Sequence, residues 1–88
     1  MKTIFSQVLW FEKESDFEDF ISKVDIFEEK NWKDWHSRTI SSIYALNRYG
    51  IVTRKITVLA DDFITWCKVN ELKQNKESMD LFLKYLSV

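Results

Sequence analysis

Apolar residues crowd the stretch Thr3 to Phe11 (TIFSQVLWF), rich in Ile, Val and aromatics, and this predicts a strand. Ile4, Val8 and Trp10 fall on one face and Phe5, Leu9 and Phe11 on the other, so the strand needs cover on both sides. The pattern then changes period. Phe17, Phe20, Ile21, Val24 and Phe27 recur at helical spacing and predict a helix reaching about residue 29. Ser15 to Glu18 (SDFE) has the form of a capping box, with Asp16, Glu18 and Asp19 suited to the positive helix end.

Residues 39 to 59 allow two readings. Trp32, Trp35, His36, Ile40, Ile43 and Tyr44 fit one stripe of a long helix closed by Gly50. The same residues also fit a β-hairpin turning at Asn47-Arg48-Tyr49-Gly50, with Asn first and Gly last. In that register Leu46 faces Val52, Tyr44 faces Arg54, Ser42 faces Ile56 and Ile40 faces Val58. One face becomes mostly apolar and the other mostly polar, and both arms are rich in β-branched residues. The hairpin is the favoured expectation.

Asp61 fits an N-cap for a helix to about Asn70, with Phe63, Ile64, Trp66 and Cys67 as its apolar positions. Glu71 to Gln74 reads as a polar connection. Asn75 caps a last helix whose stripe is Met79, Phe82, Leu83 and Leu86. The expected fold is α+β: a small three-stranded antiparallel sheet with about three helices, order β-α-β-β-α-α. With 88 residues, one Gly, no Pro and no repeat, the chain is expected to form a single domain over residues 1–88.

Composition adds one anomaly. Aromatics are 16% of the chain, including four Trp. A core this small can hardly enclose them all, so some are expected at the surface or under another chain. Charge is segregated. Residues 1–29 carry −5, residues 30–58 carry +5 and residues 59–88 carry −1, giving the net −1. Met1 to Trp10 lack the features of a signal peptide, and no apolar run reaches the roughly 18 residues that span a bilayer. Cys67 is the one cysteine, so the expected setting is reducing and cytoplasmic. The Lys-, Ile-, Phe- and Asn-rich, proline-free composition resembles that of AT-rich bacterial or phage sequences, in which small proteins often act as inhibitors or accessory subunits.

Candidate chemistry is sparse. Cys67 and His36 lie in different elements and sit in no nucleophile motif. Asp61-Asp62 is better explained by capping than by metal or acid–base work. A single glycine cannot build a phosphate-binding loop. No catalytic, cofactor or metal residue is therefore expected, nor a small-molecule substrate or membrane partner. The expected role is that of a small non-enzymatic interaction protein, docking a protein partner or forming a homodimer, with the open sheet edge as one pairing surface. Trp32, Trp35, Arg48, Arg54 and Lys55 are the expected contact residues. The alternative is a nucleic-acid-binding accessory protein using the basic segment 30–55, Lys33 included. The slightly acidic pI of about 5.8 weighs against it.

Overall fold

A computed structural model describes residues 3–87. Six elements follow one another: β1 (Ile4–Leu9), α1 (Glu14–Lys23), α2 (Trp32–Arg48), β2 (Ile51–Ile56), α3 (Ala60–Val69) and α4 (Lys76–Leu86). The fold is α+β, but with four helices and a two-stranded parallel sheet. This corrects the three-stranded antiparallel expectation. The proposed hairpin does not form, because its first arm, residues 40–46, is the second half of α2.

The helix wins for identifiable reasons. Asn31 caps α2, its side-chain oxygen accepting from the Asp34 amide at 2.9 Å. From there Trp32, Trp35, His36, Thr39, Ile40, Ile43 and Leu46 form one buried or half-buried stripe, seven positions drawn inward. Gly50, at φ 76°, ends the helix, its amide reaching Asn47 O at 3.0 Å. A glycine bulge asks for the same left-handed residue, so Gly50 alone could not separate the two readings.

With α2 helical, β2 pairs with β1, in the register Ile4 to Ile51 through Leu9 to Ile56. Parallel strands need a long connection, and here α1 and α2 provide it. Phe5, Gln7 and Leu9 therefore share one sheet face with Val52, Arg54 and Ile56. Ile4, Ser6 and Val8 share the other with Ile51, Thr53 and Lys55. Trp10 extends this second face, its amide bonding Ile56 O at 2.9 Å, and touches Trp35 and His36 of α2. α4 packs against β1, and Phe5 and Val52 of the first face stay exposed.

Other boundaries shift. α1 starts at Glu14 on an Lys13 N-cap that makes no side-chain bond, so the Ser15 capping box is not used, and the helix stops at Lys23 rather than 29. Val24 and Ile26 are still buried, in extended chain beyond it. α3 starts one residue before Asp61, leaving Asp61 and Asp62 in its first turn. Asn75 does cap α4, accepting from the Ser78 amide at 2.8 Å. Between these helices Leu72 N bonds Cys67 O at 2.8 Å and Glu71 N bonds Lys68 O at 3.2 Å, with Glu71 at φ 55°. This is a Schellman turn carried by a non-glycine residue, and it folds α4 back onto α3.

Aromatic rings dominate the core. Phe11 lies 5.0 Å from Trp35, 5.2 Å from Phe20 and 5.7 Å from Phe17, centroid to centroid. Phe63 and Phe82, 5.8 Å apart, extend the cluster under α3 and α4.

Candidate functional site

Trp35, expected at a contact surface, is 1% exposed at the centre of the core. Trp32 is half-buried, its indole N–H donating to Phe11 O at 3.3 Å. His36 lies against Trp32 at 4.6 Å and against Trp10 at 5.2 Å, and the Lys55 ammonium sits 4.2 Å from the Trp10 ring. Lys55, Trp10, His36 and Trp32 thus form one continuous row, held by stacking and cation–π attraction. Arg54 is elsewhere. It projects from the opposite face of β2 and covers Phe5 at 4.2 Å. Lys33 and Arg48 stand near the two ends of α2, about 22 Å apart at 1.5 Å per residue.

The basic residues of segment 30–58 are therefore dispersed over two sheet faces and both ends of a helix. Part of their charge is also used locally. Arg38 pairs with Glu29, and Lys30 with Asp25 at 2.9 Å. Burial pushes the Glu29 carboxyl up, but bonds to its own backbone amide and to Arg38, with the charges of Arg38 and Lys76, outweigh it and hold the group below its ordinary value.

Chemistry for catalysis is not assembled around Cys67. Its thiol faces the core from α3, and burial raises its pKa, away from the reactive thiolate. Among the described residues no group of three or more His, Cys, Asp or Glu side chains is placed to hold a metal ion. No helix among them is long and apolar enough to cross a membrane.

Several concave surfaces indent the described residues, and two of them run along α4. One, of about 310 Å³, lies between β1, α2 and α4, its lining mixing charged Arg38, Lys76 and Asp80 with apolar Leu9, Ile26, Leu46, Met79 and Leu83. The other, of about 620 Å³, runs between α3, α4 and the segment before α3. Leu59, Trp66, Val69, Tyr85 and Leu86 line it, and Asp62 is the one charged residue in the lining. Its floor is aromatic: Trp66 lies 5.1 Å from Phe82 and 5.9 Å from Tyr85.

The second surface arises from the composition of α3. Ala60, Phe63 and Cys67 face the core. A second stripe at Leu59, Asp62, Trp66 and Val69, spaced three or four residues apart, points away from it. A helix apolar on two faces normally has cover on both. Here the outer stripe is covered only at Trp66, half-buried against Phe82 and Tyr85, while Leu59 is 64% and Val69 76% exposed, as are Tyr85 (60%) and Leu86 (43%) beside them on α4.

In comparisons with known proteins, no family model, no curated protein and no solved structure matches the chain. The reading of function therefore rests on this geometry.

Sequence reasoning placed Trp66 in the core and passed over Leu59 and Val69. The signal was present. Phe63, Ile64, Trp66 and Cys67 span more than one helical face, which implies a second buried side.

Proposed function

We propose that the chain is a protein-docking module working by contact, and that its docking surface is the outer face of α3 and α4. The observation that carries this is the apolar cleft lined by Leu59, Trp66, Val69, Tyr85 and Leu86, four of whose five residues are more than two-fifths exposed. Contiguous exposed apolar surface of this kind, rimmed by polar residues, marks interaction sites in folded chains. Its aromatic floor matches the residue types that dominate binding energy at such sites. The nucleic-acid reading has less support, since Lys33, Arg48, Arg54 and Lys55 share no face.

Photo-crosslinking tests this in the native cell. A photoreactive phenylalanine at Val69 is expected to trap one discrete species in high yield. The same probe at Ala45, exposed on α2, is expected to trap only a weak background. Equal yields at both positions would contradict the assignment.

A further inference from the structure

We infer that the free edge of β1 takes a third strand from another polypeptide, an extended segment with apolar, uncharged side chains seated in the cleft between α2 and α4. This contact lies apart from the α3–α4 face and goes beyond the docking reading above. The sheet has two strands, so β1 keeps one edge unpaired. Backbone groups alternate in direction along a strand. The Trp10 amide bonds Ile56 O at 2.9 Å, which directs the N–H and C=O groups of Ser6 and Val8 toward β2 as well. Those of Gln7 and Leu9 point the opposite way, and among the described residues nothing bonds them.

The cleft of about 310 Å³ runs along this edge. Four consecutive β1 residues line it, Ser6, Gln7, Val8 and Leu9, drawn from both faces of the sheet, and no residue of β2 does. A cavity that touches both faces of one strand and misses its neighbour sits at the outer edge. Thr39, Ser42 and Leu46 of α2 form one wall, and Met79, Asp80 and Leu83 of α4 the other.

Two groups in the cleft lack partners that burial demands. Leu9 is 8% exposed, and backbone groups at so buried a position are nearly always bonded. Thr39, 6% exposed, also lines the cleft, and among the described residues its hydroxyl makes no hydrogen bond. Ser42, one turn on, donates its own to Arg38 O at 3.1 Å.

Donors and acceptors spaced along a strand edge are met by an extended main chain. The side chains of that chain alternate between the walls, where Leu46, Met79 and Leu83 are apolar. The cleft does not call for a charged ligand, since Arg38 is paired with Glu29 and Lys76 stands one turn from Asp80. Ser6 to Val8 are half-buried, so the edge is recessed between its helices. A lone extended chain reaches such an edge where the equally flanked edge of a second copy does not.

Nuclear magnetic resonance titration of the isotopically labelled chain with a synthetic peptide tests this. The probe has about six residues of alternating valine and threonine, with a lysine at each end for solubility. The amides of Gln7 and Leu9 are expected to shift along one curve that saturates at millimolar peptide, with Val69 and Tyr85 unmoved. The same peptide N-methylated at every amide keeps its side chains and loses its donors, and is expected to bind at least about tenfold more weakly. Ser42→Trp, at an exposed position, is expected to fill the cleft and abolish the shifts while circular dichroism stays that of the wild type. No shift at Gln7 and Leu9, equal binding of the methylated peptide, or binding indifferent to Ser42→Trp overturns the inference. So does movement of these amides on dilution of the chain alone, which makes the occupant a second copy.

Discussion

Replacing Trp35 with alanine is expected to leave the chain largely unfolded at 37 °C. The side chain is 1% exposed and makes ring contacts with Phe11 at 5.0 Å, Phe17 at 5.6 Å, Trp10 at 5.9 Å and Phe27 at 6.3 Å. Those partners come from β1's extension, α1 and the α1–α2 connection, so no one element can move inward to fill the space. Truncating a buried tryptophan costs about 3–5 kcal/mol, the higher values where the site cannot collapse. A domain of this size holds only about 4–13 kcal/mol in all. Urea denaturation followed by far-UV circular dichroism checks it. A loss below about 1 kcal/mol would mean that Trp35 is not the centre of the core. Trp32→Ala, at a half-buried site with one indole bond, is expected to cost less.

The second large effect falls on association and spares stability. Val69→Glu is expected to weaken docking on the α3–α4 face by at least about fiftyfold, because it places a carboxylate with no cation beside it in the apolar cleft. The same change is expected to move the monomer's unfolding free energy by no more than about 0.5 kcal/mol, since Val69 is 76% exposed and outside the core. The crosslinked yield from a photoreactive probe at Tyr85 in the native cell gives the first quantity and urea titration of the purified chain the second. A residue that served only the fold would show the reverse pattern.

How much of this could be read from the chain differs by region. β1, α1, α3 and α4 follow directly from periodicity, and Asn75 marks the start of α4 correctly. Their ends are less legible, because Val24 and Phe27 pack inward from the non-helical chain after Lys23 at positions that continue the helical spacing of α1 by coincidence. The failure at residues 40–46 has a sharper cause. β-branched content is a weak guide to strands, since it reports fit to a half-buried surface that α2 also presents. Gly50 served either reading. Asn31 was the discriminating residue, followed three positions on by Asp34, with which it exchanges two bonds of 2.9 Å. A capped helix start at Trp32 leaves no room for a hairpin arm.

The site was legible in kind more than in place. The surplus of aromatics does mean that some are exposed, as Tyr44, Tyr49 and Tyr85 are. Trp32 and Trp35 drew attention as tryptophans next to basic residues, yet Trp35 is spent on the core. Alternation along β2 sends Arg54 and Lys55 to opposite faces, a separation that the linear charge count cannot express. Leu59 and Val69 escaped notice because each stands at the edge of its helix, outside the stripe that packs inward.

The most direct measurement is a nuclear magnetic resonance titration of the isotopically labelled chain with the species that the Val69 probe traps in the native cell. The Trp66 indole N–H and the amides of Thr65, Val69, Tyr85 and Leu86 are expected to shift together along one binding curve, with Trp10, Trp32 and β2 unmoved. Shifts confined to β1 or β2, or none at any concentration, would contradict docking on α3 and α4.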